Sequence, residues 1–192
     1  MNNISKLWII SGAFGGLLFA INLALGAGIT YATGNPGFSG LITGLTTSFV
    51  LYILYRLTNK FGAIAIAFTV YSILAIPTVL LGAPGIYKIA VGLLSGLAFD
   101  IVLKATKYKF YGYLTGFFFF VLIMIPTTYF SYVYLALPNL EKFKSAMLML
   151  AAIFTVEGWI AAWLAKKFFD KRLENLSSVK NIRLTNIETD NK

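Results

Sequence analysis

The 192-residue sequence predicts an all-α integral membrane protein, a compact bundle of six transmembrane helices with both termini in the cytoplasm. Hydrophobic residues make up 58% of the chain, and charged residues make up only 12%, about half the share found in soluble domains. The charged side chains gather in short clusters separated by apolar stretches of roughly 18 to 27 residues, and about 20 apolar residues cross a bilayer as a helix. These two observations carry the prediction.

The first helix is predicted at about 7–29. Its apolar run is too long for the hydrophobic segment of a signal peptide, which covers about 7 to 15 residues. The segment from Thr33 to Gly37 then offers glycine, asparagine and proline, the residues that favour turns. The second helix follows at about 38–57.

The other four helices are predicted from the same alternation of apolar runs and breakers, at about 61–81, 86–103, 110–137 and 145–165. Glycine and proline separate the third helix from the fourth, and a lysine cluster separates the fourth from the fifth. The six helices form one predicted transmembrane domain over 1–172. The remaining segment, 173–192, is polar and is predicted to be a cytoplasmic tail.

The distribution of Lys and Arg predicts the orientation, because cytoplasmic loops carry an excess of both residues. Six spans place both termini on one side of the membrane. If that side is cytoplasmic, thirteen of the sixteen basic residues lie inside, and only Lys88, Lys142 and Lys144 lie outside. The sequence thus predicts a multi-pass protein of the cell membrane.

The composition also excludes several kinds of chemistry. The chain has no Cys and no His, which removes classical zinc sites, haem and iron–sulfur ligation, disulfides and the usual catalytic triads. It also lacks the glycine-rich loop with Lys and Ser or Thr that binds nucleotide phosphates. We therefore predict no metal site, no cofactor and no enzymatic activity.

Two acidic residues fall within apolar spans, where a charge is costly. Glu157 lies near the middle of the sixth helix, and either a ligand, proton or switch role or a structural hydrogen bond to a neighbouring helix would explain it. Asp100 lies close to the end of the fourth helix, four residues before Lys104. At that spacing, an interfacial ion pair with Lys104 explains Asp100.

Small residues recur every four positions along the first helix, at Gly12, Gly16, Ala20, Ala24 and Gly28. Such a stripe lets two helix backbones approach closely in a membrane. Packing within the bundle is one explanation. If the stripe faces outward, it is a docking surface for another membrane protein.

The predicted outer face is rich in aromatic and polar side chains, which are typical both of a small-molecule site and of the aromatic belt at a membrane interface. Lys88 is the lone cation beside the turn between the third and fourth helices, and we expect it to be exposed. The outer loops and helix ends contribute Asn22, Tyr31, Asn35, Tyr87, Lys88, Tyr129, Tyr132, Tyr134, Asn139, Glu141 and Lys142.

In these features the chain resembles a substrate-binding (S) component of an energy-coupling-factor vitamin transporter. The resemblance covers about residues 5–170 and rests on length, six helices, internal termini, basic character and the stripe on the first helix. In that family an alanine-x-x-x-alanine pattern on the first helix contacts the transmembrane coupling subunit. The matching residues here are Gly12, Gly16 and Ala20, with glycine in place of alanine at two of the three.

The resemblance implies that the protein captures a small water-soluble vitamin or precursor at the outer face. A separate transmembrane coupling subunit and ATPase subunits would then drive delivery to the cytoplasm. The implied substrate-binding residues are Asn35, Tyr87, Lys88, Tyr129 and Tyr132, and Glu157 is a further candidate. Two alternatives remain, namely a non-catalytic accessory or assembly subunit and a small membrane enzyme that acts on lipid through Glu157 or Asp100.

Overall fold

The computed structural model describes residues 3–33, 36–78, 80–81, 84–134, 140–177 and 179. Within these ranges every regular element is helical. The six α-helices are α1 (Asn3–Thr33), α2 (Pro36–Thr58), α3 (Ala63–Leu74), α4 (Tyr87–Ala105), α5 (Phe110–Tyr134) and α6 (Leu140–Phe168). A five-residue π-helical segment, Phe169–Leu173, continues α6.

The helices pack as a closed ring that does not follow chain order. Helix α1 packs against both α2 and α3, and α2 packs against α6. Helix α5 joins α6 to α4, and α4 returns to α3. Each helix therefore has two main neighbours, and its remaining face lies on the outside of the ring.

Aromatic side chains fill the centre of the ring. The ring of Tyr113 lies 5.0 Å from that of Tyr52 and 4.9 Å from that of Phe99, centroid to centroid. Phe117 and Phe120 stack at 5.5 Å, and both are buried. Edge and tilted contacts of this kind add to the free energy gained from burial, so this cluster holds α2, α4 and α5 together.

At the end of the bundle where α2 finishes, an ion-pair network joins α2 to the end of α6. The Arg56 guanidinium lies 3.0 Å from a carboxylate oxygen of Asp170 and 3.5 Å from one of Glu174. Lys166 also contacts Asp170, at 3.0 Å. The Arg56 guanidinium lies over the ring of buried Phe169, 4.7 Å from its centroid. Acidic residues beyond α6 thus neutralise two of the basic residues at this end.

Among the described residues, three helical segments are long and apolar enough to cross a membrane. The qualifying segments are Ile4–Ile29, Phe110–Phe130 and Met149–Leu173. Together with the composition, they mark the chain as a membrane protein. Helix α3 is apolar but has only 12 residues, which at 1.5 Å per residue is about 18 Å, well short of a hydrocarbon core of about 30 Å.

The third helix is shorter than the sequence predicts. The prediction extends it over 61–81, whereas α3 ends at Leu74 and a series of turns follows. Pro77 accounts for the early end, because a proline disfavours helical backbone at the residue before it and supplies no N–H. The helix also begins two residues later than predicted, after Gly62, whose φ of 91° is left-handed and suits glycine.

Candidate functional site

Lys88 is buried, not exposed as the sequence predicts. Its side chain has no solvent-accessible surface, and its ammonium donates hydrogen bonds to the carbonyl oxygens of Ala75, at 2.9 Å, and Thr78, at 2.6 Å. These carbonyls lie just beyond the end of α3, where backbone acceptors lack helical partners and cations are favoured. Lys88 therefore fastens the end of α3 to the start of α4.

The neighbouring residue, Tyr87, reinforces the same turn. Its side chain is also buried, and its hydroxyl donates a hydrogen bond to the carbonyl oxygen of Leu81 at 3.2 Å. The structure thus brings Tyr87 and Lys88 together at the α3–α4 connection. Both side chains engage the backbone of that connection.

The structure describes only some of the other residues that were predicted to bind substrate at the outer face. Tyr129 is half-buried on α5, and its ring meets that of Phe130 edge to face, with centroids 5.9 Å apart. Tyr132 lies on the same helix, but its side chain lies outside the described part of the structure. Asn35 lies outside the described residues altogether. Their predicted role in substrate binding remains a prediction.

Glu157 lies near the middle of α6 at the contact with α2. Its Oε2 atom is buried and has no hydrogen-bond partner within the described residues. A Cβ atom on Gly44 would lie 2.6 Å from this oxygen, so glycine at 44 leaves the space that the carboxyl group occupies. One turn further along α2, the Ser48 hydroxyl donates to the carbonyl oxygen of Gly158 at 2.7 Å. An acid with an unused buried acceptor is a candidate binding group.

Asp100 does not form the ion pair that the sequence predicts. Its side chain is fully buried, and its carboxylate accepts hydrogen bonds from the backbone N–H groups of Ala65, at 2.8 Å, and Ile64, at 3.4 Å. These N–H groups belong to the first turn of α3, which has no intrahelical acceptors for them and favours negative charge. Lys104 instead places its ammonium over the ring of Phe61, 5.3 Å from the centroid.

Asn22 belongs to a buried polar cluster that the sequence did not predict. The sequence predicts Asn22 at the outer face, but its side chain is fully buried and contacts α2 and α3. Its amide donates to the Thr47 hydroxyl at 3.1 Å and to the Tyr71 hydroxyl at 3.4 Å, and its carbonyl accepts from Thr46. The adjacent threonines in the middle of an apolar run were the available signal.

The stripe on α1 faces away from the bundle. At Gly12, Gly16 and Gly28, an added Cβ would meet no heavy atom within 4 Å among the residues that the structure describes. Ala20 and Ala24, between them, are exposed.

The opposite face of α1 makes the internal contacts. Gly15 packs so closely on α3 that an added Cβ would overlap the carbonyl oxygen of Ala67 and lie 2.9 Å from the side chain of Val70. Ser11 and Leu18, one turn to either side, are buried as well. Packing within the ring therefore does not account for Gly12, Gly16 and Ala20.

Comparisons with known proteins identify no relative, since no family model, no curated protein and no solved structure matches this chain.

Proposed function

We propose that this protein is the substrate-capture subunit of a membrane importer. It binds a small water-soluble vitamin or vitamin precursor at the outer face and delivers it together with a separate ATP-driven coupling module. In this proposal all six helices lie in the cell membrane, and the short α3 makes its crossing together with the turns that follow Leu74. Both termini are cytoplasmic, and Gly12, Gly16 and Ala20 contact the transmembrane coupling subunit.

The open face of α1 is the observation that carries the proposal. Close contact between two helices in a membrane needs small residues on the facing surface, because larger side chains hold the backbones apart. Here an added Cβ at Gly12 or Gly16 would meet no heavy atom of the described residues within 4 Å, and the exposed Ala20 continues this surface. Gly12 and Gly16 lie in the half of α1 nearest Lys6, and Ala20 lies just past its middle. In the proposed orientation that half is on the cytoplasmic side, where ATPases would act.

Two adjacent glycines make a matched test of this contact. Gly16→Leu should leave the isolated protein folded, because the added side chain meets no neighbour, but it should abolish assembly with the coupling module and stop uptake. Gly15→Leu should unfold the isolated protein, because position 15 is packed on α3. Co-purification with the coupling subunit and the thermal unfolding midpoint report the two effects. Normal assembly of Gly16→Leu would overturn the docking role.

Substrate capture is tested separately by thermal unfolding in detergent with a panel of water-soluble vitamins and precursors. One compound should raise the midpoint, because a ligand that binds only the folded protein stabilises it. Tyr129→Ala and Tyr132→Ala together should then weaken that compound's binding. Lys88→Ala is a poor test of binding, since loss of its two backbone hydrogen bonds changes folding as well.

A non-catalytic assembly subunit is the second candidate, and the same open face of α1 favours it. An assembly subunit would use the docking surface to bind its partner and would bind no small-molecule ligand. Assembly that is lost in Gly16→Leu, combined with no stabilisation by any compound of the panel, would select this candidate over the importer subunit.

A further inference from the structure

The outer side of the contact between α5 and α6 combines aromatic rings with cations. We name it the α5–α6 groove and define it by Lys109 and Tyr111 on the α5 side and Trp159, Trp163 and Lys167 on α6. The Trp159 indole N–H crosses the contact and donates to the carbonyl oxygen of Leu114 at 2.9 Å. This hydrogen bond fixes one large aromatic ring against α5.

At the basic end of the groove, each of its two sides carries a lysine over an exposed aromatic ring. The Lys167 ammonium lies 3.5 Å from the ring centroid of Trp163, and that of Lys109 lies 5.9 Å from the centroid of Tyr111. Trp163 and Tyr111 are about half exposed. The Lys166 ammonium also lies 5.9 Å from the ring centroid of Phe110, the first residue of α5, so the basic end of α6 adjoins the start of α5.

Basic residues outnumber acidic residues at the end of the bundle where this part of the groove lies. The segments 56–60, 104–109 and 166–174 hold nine basic residues and two acidic ones. Both acids, Asp170 and Glu174, contact Arg56, and Asp170 also binds Lys166. Within the described part of the chain, no carboxylate lies within ion-pair distance of Lys109 or Lys167. The groove therefore presents two exposed cations that are open to an anion from outside.

We propose that the α5–α6 groove binds one anionic phospholipid, with its phosphate between Lys109 and Lys167 and an acyl chain along Trp163 and Trp159. Tryptophan and tyrosine favour the level of the lipid headgroups, so the rings place the lysines at the depth of the phosphates. Basic pockets between membrane helices are suited to anionic headgroups. The exposed ring of Phe118 extends the apolar surface on the α5 side toward the membrane interior. This inference does not depend on the proposed function.

Tryptophan quenching by brominated lipid tests the proposal on the full chain. The chain has three tryptophans, and Trp8→Phe leaves only the two of the groove. The protein is reconstituted in phosphatidylcholine vesicles that contain increasing amounts of brominated phosphatidylglycerol or, in parallel, brominated phosphatidylcholine. The anionic lipid should bind at least fivefold more tightly, since an anionic headgroup favours each nearby lysine by about that factor.

A matched pair of variants separates a specific groove from general charge. Lys109→Gln with Lys167→Gln should reduce the preference for the anionic lipid to near unity. Lys104→Gln with Lys171→Gln removes the same charge from exposed positions outside the groove and should leave the preference within twofold of the original. Equal loss in both double variants, or no preference in the parent protein, would overturn the proposal.

Inorganic phosphate distinguishes a lipid from a free anion. Added in excess to vesicles with brominated phosphatidylglycerol, it should leave the quenching unchanged, because the acyl chains hold the lipid in the groove. Displacement of the lipid by phosphate would mean that the groove is a site for a soluble anion, and the lipid assignment would be wrong.

Discussion

Lys88 and Asp100, both on α4, bind opposite ends of α3. The Lys88 ammonium donates to carbonyl oxygens at the carboxyl end of α3, and the Asp100 carboxylate accepts from N–H groups at its amino end. The signs match the helix dipole, which favours a negative group at the start of a helix and a positive group at its end. The two residues are 12 positions apart on α4, and α3 is 12 residues long, so two charges on one helix fit the ends of its antiparallel neighbour.

This arrangement predicts a specific cost for removing Lys88. Lys88→Met keeps the apolar stem but removes both hydrogen bonds of the ammonium, so the Thr78 carbonyl loses this donor and the Ala75 carbonyl keeps only its bonds from Thr78. The free energy of unfolding, measured by titration with sodium dodecyl sulfate in mixed micelles, should fall by about 1–3 kcal/mol. Lys104→Met is the control, because Lys104 is exposed on the same helix and should change the stability little. Equal values for the two variants would contradict the role of Lys88.

Removal of the Asp100 carboxylate, which binds the amino end of α3, should lower the free energy of unfolding by a similar amount. Asp100→Ala leaves two N–H groups of the first turn of α3 without an acceptor, and the free energy of unfolding should fall by about 1–3 kcal/mol. Asp100→Asn keeps one acceptor oxygen and should recover part of that loss. If alanine and asparagine were equally harmful, the hydrogen bonds would not be the cause.

Close packing between α3 and α4 predicts a contrast between two glycines. At Gly96 an added Cβ would lie 2.6 Å from the Cα of Ala65, and neither backbone can move aside cheaply. Gly96→Ala should therefore lower the thermal unfolding midpoint, with a cost of about 1–3 kcal/mol. Gly12→Ala places the same methyl group in open space and should leave the midpoint unchanged or slightly raised. A comparable loss at Gly12 would show that α1 has a neighbour on its open face.

The three hydrogen bonds of Asn22 together should contribute more to the free energy of unfolding than any one of them. Asn22→Ala removes three hydrogen bonds that join α1 to α2 and α3, at an expected cost of about 1–2 kcal/mol in a membrane helix. The neighbouring exposed Leu23, changed to alanine, is the control and should cost little. Unfolding of the two variants in mixed micelles checks the difference.

The proposed topology is tested by chemical labelling, for which the absence of cysteine is convenient. Single cysteines at Asn35, Ala83 and Asn139 should react with an impermeant thiol reagent added outside intact cells. Single cysteines at Lys60, Lys107 and Asn181 should react only after the membrane is opened. Reversed labelling at any one of these positions would overturn the six-span orientation.

Local sequence signals were sufficient to predict the helices. They were not sufficient to predict which groups the polar residues of those helices bind. Apolar runs and turn residues predicted six helical segments, because both signals act within a few neighbouring residues. The interaction of Asp100 was predicted from its helical spacing to Lys104, and that prediction is wrong because N–H groups 35 and 36 positions away compete more strongly for the carboxylate. The burial of Lys88 was missed for the same reason, since its acceptors lie 10 and 13 positions earlier, beyond the end of another helix.

The sequence by itself determined that this is a helical membrane protein with a polar, basic end and a small-residue stripe on α1, since hydropathy and spacing within one helix suffice for those statements. Only the tertiary structure decided that Gly12, Gly16 and Gly28 face outward while Gly15 faces α3. A four-residue spacing fixes which residues share a face of a helix, but it does not specify which face the neighbouring helices cover. That choice depends on packing across the ring, where α1 meets α2 and α3 through Asn22 and Gly15 and leaves the stripe open.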